Sequence, residues 1–361
     1  MDISRIDKNF SAQTADENGF VFCNVKDAPF VLEGLPWYEA NDRDYCRLPK
    51  TFTTREVSEG VLFLSRFTAG VCVRFRSDSP ELMIRSVTVD GCDCGHMTRA
   101  CSMGFDSYYR KGGKYLYNKT IMPQPGQDKI CALIGVNPER KMFDWIINFP
   151  LFGGVRSVEI GLKSGSRLAP ARPHKIARPI LFYGSSITEG GCASRPGNAY
   201  TSMLCRALDA EQINLGFSGS GKGEIAIAEA IASLELSAFV FDYDHNAATI
   251  EHLEATHEPF FQAVRKVRPE LPVIIMSKCD FPYIAPEAIE VNRRRRDIIR
   301  RTWQNAVDAG DKNVYWIDGE TLFGTDFRDG CTVDGCHPND LGFYRMYRKV
   351  LPVLKKALAG R

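Results

Sequence analysis

Five short apolar runs, each followed by a stretch with helical spacing, constrain the second half of this chain more than any other feature. They are PILFYG (179–184), QINLGF (212–217), SAFVFDYD (237–244), PVIIMS (272–277) and NVYWID (313–318). Unbroken apolar runs this short read as strands buried on both faces. The stretches near 199–208, 223–234, 249–267, 286–309 and 341–358 carry helical patterning instead. In the third of these, Ile250, Leu253, His257, Phe260, Phe261, Val264 and Val267 share one face, so His257 is expected to be a core histidine. Strands alternating with helices predict a doubly wound α/β fold with a parallel five-stranded sheet. Ligands of such sheets gather beyond the carboxyl ends of the strands.

The first half is written differently. GVLFLSRF and GVCVRFRS flank Thr68-Ala69-Gly70 and read as a hairpin, and ELMIRSVTVD, KYLYNKTIMP, KICALIGV and VRSVEIGLK follow. Apolar residues on a period of two, with turns about every 8–12 residues, predict an all-β antiparallel sandwich or jelly roll. KSGSRLAPARPHKIARP (163–179) lacks apolar periodicity and reads as the linker. The expected division is a β domain over 1–170 and an α/β domain over 171–361. PWYEANDRDYCRLP (36–49) is expected as a first strand of the sandwich. If that domain leans over the sheet edge, Tyr45 and Arg47 are its candidates for touching a substrate.

With 361 residues, 44% hydrophobic composition and a net charge of +2, the chain reads as a soluble globular protein with no field to attract nucleic acid or an anionic membrane. The cluster Arg293–Arg296 with Arg300 and Arg301 spreads around a helix and is expected as a solvated face. The amino-terminal residues lack an export signal, and no run of 18 apolar residues suggests a membrane span. A cytoplasmic location is therefore expected, with the twelve cysteines reduced and buried. Cys92, Cys94, His96 and Cys101 in GCDCGHMTRAC invite comparison with the Cys-x₂₋₄-Cys pairs that zinc prefers. Their Cys-x-Cys spacing favours a cysteine-rich strand and loop, so no metal is expected.

The strand ends carry the chemistry. The first ends in Gly184-Ser185-Ser186-Ile187-Thr188, the second in Gly216-Phe217-Ser218-Gly219-Ser220-Gly221-Lys222, and the third in Asp242-Tyr243-Asp244-His245-Asn246. Beyond the fifth lies Asp334-Gly335-Cys336-His337-Pro338. The glycine-rich turn is nearly a phosphate-binding loop, but Gly223 stands where such a loop needs a Ser or Thr for Mg²⁺. Acyl transfer needs a nucleophile, a base, a group to orient the base, and oxyanion donors. Ser186, His337, Asp334, Asn246 and the glycine-rich backbone offer each of these, and no cofactor is expected. His245 and Asp280 lie close enough to the same edge to be substrate-binding candidates.

These four blocks, in this order, resemble those of the SGNH (GDSL-type) hydrolases over roughly 178–358. The resemblance implies a flavodoxin-like sheet with Ser186 as nucleophile, His337 as general base and Asp334 orienting it. It also implies an oxyanion hole made of the Ser186 and Gly219 N–H groups and the Asn246 side chain. Two positions depart from the family pattern: Ser185 replaces the Asp before the nucleophile, and Asp244 replaces a Gly. Ser185 is thereby a rival nucleophile. The β-rich first half resembles that of a two-domain subgroup. The implied activity is a serine esterase acting on short acyl esters, with O-acetyl groups on a carbohydrate as the expected substrate. The alternatives are an acyltransferase using the same triad, or a carbohydrate-binding protein with a vestigial site.

Overall fold

The computed structural model describes residues 15–279 and 285–359. In its first half, β1 (Phe20–Asn24), β2 (Val31–Glu33), α1 (Glu59–Leu64), β3 (Cys72–Ser77) and β4 (Glu81–Val89) are followed by α2 (Arg99–Met103) and β5 (Phe105–Lys111). Then come β6 (Lys114–Ile121), β7 (Lys129–Val136), β8 (Phe143–Asn148), β9 (Gly154–Lys163) and the short β10 (Leu168–Ala169). They form two antiparallel sheets, one ordered β1-β9-β4-β7 and the other β10-β3-β8-β5-β6 with β2 on β3. Their alternating residues, among them Phe75, Ile84, Trp145 and Ile160, are fully buried in one shared core. The expected antiparallel sandwich is present.

Two segments of this half depart from expectation. GVLFLSRF forms no hairpin strand: 59–64 is α1, started by Ser58, whose side chain accepts the Val61 N–H. Residues 36–49 run through turns and bends with no strand.

The second half opens with β11 (Ile176–Gly184), α3 (Ser186–Glu189), α4 (Tyr200–Leu208), β12 (Ala210–Gly216) and α5 (Ile225–Ser233). It continues with β13 (Ala238–Asp242), α6 (Ile250–Val267), β14 (Val273–Met276), α7 (Pro286–Asp308), β15 (Val314–Ile317) and α8 (Asp340–Leu358). The five strands are all parallel, in the order β12-β11-β13-β14-β15. That is the expected doubly wound sheet. His257 is wholly buried against Phe241, as its place on the apolar face requires, and burial pushes its imidazole down to about 3. No helix among the described residues is long and apolar enough to cross a membrane.

The two halves share apolar contacts. Leu48, Val57, Val61, Leu64, Phe67, Leu151 and Phe152 belong to the same buried cluster as Ile180, Phe182 and Leu215 of the parallel sheet. At the far edge, His174 sits 3.0 Å from both Glu33 and Asp209, joining β2 to the turn before β12.

Candidate active site

Register places the site. Gly184, at the end of β11, pairs with Gly216 of β12 and Asp242 of β13. The first three sequence blocks therefore leave the sheet side by side. A Cβ on Gly216 would fall 2.2 Å from the Glu189 nitrogen, so only glycine lets α3 cross this close. Gly219 has φ +63, and nothing lies within 4 Å of where its Cβ would be, which leaves the approach to its backbone open.

The rival serines separate cleanly. Ser185 caps α3, and its hydroxyl accepts the Ile187 N–H at 3.2 Å. Ser186 Oγ instead lies 2.9 Å from His337 Nε2. His337 Nδ1 is 2.7 Å from Asp334 Oδ2, while Asp334 Oδ1 accepts the backbone N–H groups of His337 at 2.7 Å and Cys336 at 2.9 Å. Partial burial opposes the Asp334 charge, but the backbone and ring donors of His337 and the Cys336 N–H outweigh it and hold the carboxyl down to about 2. An anionic Asp334 keeps the proton on Nδ1, so Nε2 is left to accept from the Ser186 hydroxyl. The loop carrying this pair is closed by a bridge between Thr332 and Pro338 and held by Asn339, which caps α8.

Asn246 Nδ2 donates to the Phe217 carbonyl at 2.9 Å, tying the third block to the second, and the amide retains another N–H. Asp242, the last residue of β13, turns inward. It accepts from Thr188 Oγ1 at 2.9 Å and the Tyr200 hydroxyl at 3.0 Å, and burial pushes it up to about 7 despite both donors. Its role is to hold α3.

Other expected contacts fall elsewhere. Arg47 is completely buried beneath the site rather than facing a substrate. Its Nη1 donates to the Asn214 and Gly216 carbonyls at 2.8 and 2.9 Å, its Nε to Phe67 and its Nη2 to Leu64, both at 2.7 Å. It also pairs with buried Glu189 at 3.3 Å, whose other oxygen accepts the Ser218 N–H at 2.9 Å. Tyr45 is likewise turned into the sandwich core, packed on Phe149. His245 lies 3.6 Å from Asp244 and does not line the cleft above Ser186. Asp280 lies outside the described residues. The arginine run is not wholly solvated: Arg295 is buried and donates to the carbonyls of Asp244 at 3.2 Å and Ala247 at 3.0 Å, bracing Asn246 between them.

Above Ser186 and His337 opens a cleft of ≈ 600 Å³. Phe63, Leu64, Phe67 and Phe152 line it, and the loop bearing Cys92, Cys94, His96 and Met97 lines it as well. The expectation of reduced cysteines is corrected there, since Cys92 and Cys94 form a disulfide. In a locally extended chain, residues two apart project to the same side. Cys101 is buried away from them with its thiol on the Gly190 carbonyl, so the four-residue cluster weighed as a metal site does not assemble.

Residues 177–355 match the GDSL-like lipase/acylhydrolase family, and residues 20–168 match the N-terminal domain of SGNH-hydrolase-type esterases. The chain is a two-domain SGNH hydrolase of the GDSL type. No curated protein matches it. A GDSL-like protein from Bacteroides ovatus ATCC 8483 is similar over 94% of this chain and 98% of its own, at 28% identity and a TM-score of 0.83. A salicylyl-acyltransferase from a tetracycline biosynthetic pathway shares the fold at 18% identity, covering 93% and 98% with a TM-score of 0.76. An acetyl xylan esterase from Butyrivibrio proteoclasticus shares it at 13% identity, covering 94% and 98% with a TM-score of 0.56. This SGNH hydrolase thus resembles fold relatives with more than one acyl chemistry.

Proposed function

We propose that this SGNH hydrolase cleaves acyl esters through an acyl-enzyme on Ser186. The observation that carries the reading is the unbroken chain from Ser186 Oγ through His337 to Asp334, with contacts of 2.9 and 2.7 Å. His337 Nε2 takes the hydroxyl proton as Oγ attacks the carbonyl carbon. The N–H groups of Ser186 and Gly219 and the Asn246 amide receive the oxyanion. Collapse of the tetrahedral intermediate returns the proton to the departing alcohol, and water, activated by His337, then releases the acid. Loss of one oxyanion donor costs about 2.7–4 kcal/mol of transition-state stabilisation. Asn246→Ala is therefore expected to lower kcat by about 10²–10³ with little change in KM, measured by steady-state hydrolysis of a p-nitrophenyl ester. Unchanged turnover would remove Asn246 from the mechanism.

The likeness in fold to an acetyl xylan esterase supports an O-acetyl group on a carbohydrate as the substrate. The walls of the cleft favour a second reading, a larger acyl group. Gly60, at the start of α1, abuts Ser220 in the glycine-rich turn, which sets Phe63, Leu64 and Phe67 toward the oxyanion side. His96 stands on the opposite side, near His337, where the alcohol departs. An acetyl group leaves most of the apolar wall without a contact.

A series of p-nitrophenyl acetate, butyrate and octanoate, run on wild type and Phe63→Ala, separates the readings. The larger-acyl reading expects kcat/KM to rise with chain length, and Phe63→Ala to lower octanoate turnover about tenfold while sparing acetate. The acetyl reading expects acetate to lead and Phe63→Ala to leave the order unchanged. Added alcohol acceptors distinguish transfer from hydrolysis, since only a transferase diverts the acyl group from water. A vestigial binding protein would turn over none of the esters.

A further inference from the structure

His96 is exposed on the loop after β4, with its ring centroid 5.9 Å from that of His337. Cys192, buried in the turn after α3, completes a group with them: one ligating atom each of His96, Cys192 and His337, all within 4.8 Å of one another. The three arrive from separate segments: one in the β domain, one behind the nucleophile and one before α8. Two imidazoles and a thiol form a donor set that zinc accepts, with Zn–N of about 2.0–2.1 Å and Zn–S of about 2.3 Å. A tetrahedral ion with those bonds brings its ligand atoms to roughly 3.3–3.6 Å from one another. The exposed His96 side chain is the member placed to close that gap.

We propose that His96, Cys192 and His337 form an inhibitory Zn²⁺ site that withdraws the His337 imidazole from Ser186. Water fills the fourth position. The proposal rests on His337 being the general base, because the ion acts by occupying that base. Each of the three residues has a separate part. His337 provides the ligand whose capture stops turnover. His96 and Cys192 supply the additional donors that set this site apart from a lone imidazole. Burial, reinforced by Asp334 and Cys336, pushes the Cys192 thiol up to about 12, so it is a neutral thiol without the ion. On binding, the Sγ–H proton passes to solvent, Sγ coordinates as thiolate, and the nearby Asp334 carboxylate adds to the attraction for a cation. The disulfide between Cys92 and Cys94 keeps those two sulfurs from competing for the ion.

Two measurements on wild type, His96→Ala and Cys192→Ser test the site. In the first, Co²⁺ is titrated as a spectroscopic probe, which requires no turnover. Wild type is expected to show a thiolate-to-cobalt charge-transfer band, Cys192→Ser to lose it, and His96→Ala to need at least tenfold more metal. In the second, Zn²⁺ inhibition of p-nitrophenyl ester hydrolysis is scored against each protein's own uninhibited rate. Wild-type inhibition is expected to reverse with EDTA, and the half-inhibiting concentration to rise at least tenfold in either variant. Equal Zn²⁺ sensitivity in all three proteins, or no thiolate band in wild type, overturns the site. A thiolate band in a protein that hydrolyses no ester keeps the metal site and overturns the esterase reading together with the inhibitory role.

Discussion

Ser186→Ala is expected to lower kcat/KM by about 10⁴–10⁶ while leaving the fold intact, because the residual rate comes only from oxyanion donors and substrate binding. Its neighbour gives the opposite result. Ser185 accepts the Ile187 N–H as the cap of α3, so Ser185→Ala is expected to cost about 1 kcal/mol of stability. Some activity is lost with it, as far as α3 frays, but not the nucleophile. Hydrolysis of a p-nitrophenyl ester beside chemical denaturation separates the two effects. A severe loss confined to Ser185→Ala would exchange the roles of the two serines.

Arg47→Met is expected to produce the largest loss of stability. The substitution removes five hydrogen bonds and leaves the fully buried carboxylate of Glu189 without its cation. Breaking a buried pair from one side typically costs about 3–5 kcal/mol. Arg47 comes from the β half and holds the carbonyls of Asn214 and Gly216 at the entrance to the glycine-rich turn, so activity is expected to fall with stability. The double variant Arg47→Met/Glu189→Leu removes the stranded charge and is expected to recover part of the stability. It leaves the four carbonyls without their donor, and activity is expected to stay low. Chemical denaturation with parallel kinetics measures both, and a loss below 1 kcal/mol for Arg47→Met would show that the turn does not depend on this anchor.

Much of this architecture is legible in the sequence because its signals are local. Each core strand is an unbroken apolar run, and Ser186, Asp334 and His337 fall in short blocks at strand ends or just beyond. Asp334 and His337 even share one loop, so their pairing follows from three residues of spacing. What stays hidden depends on distant partners. Nothing near Arg47 reveals that it answers carbonyls on β12, and nothing near Arg295 reveals that it braces Asp244 and Ala247. Both are cations without an acidic neighbour pattern to betray their burial, since most of their partners are backbone oxygens. The stretch GVLFLSRF was ambiguous in another way. A short apolar run suits either a strand or a buried turn of helix, and here the Ser58 cap followed by Glu59 decides for α1. The cysteine cluster was read by ligand spacing along the chain, whereas in the folded protein His96 meets Cys192 and His337, both far from it in sequence.

The most direct test of the account is to trap the acyl-enzyme by rapid acid quench during turnover of a p-nitrophenyl ester, then locate the added acyl mass by peptide mass spectrometry. One acyl group per chain is expected, carried on Ser186. Turnover with the acyl group on Ser185, or with no adduct on any residue while a fluorophosphonate fails to block it, would contradict a serine mechanism centred on Ser186.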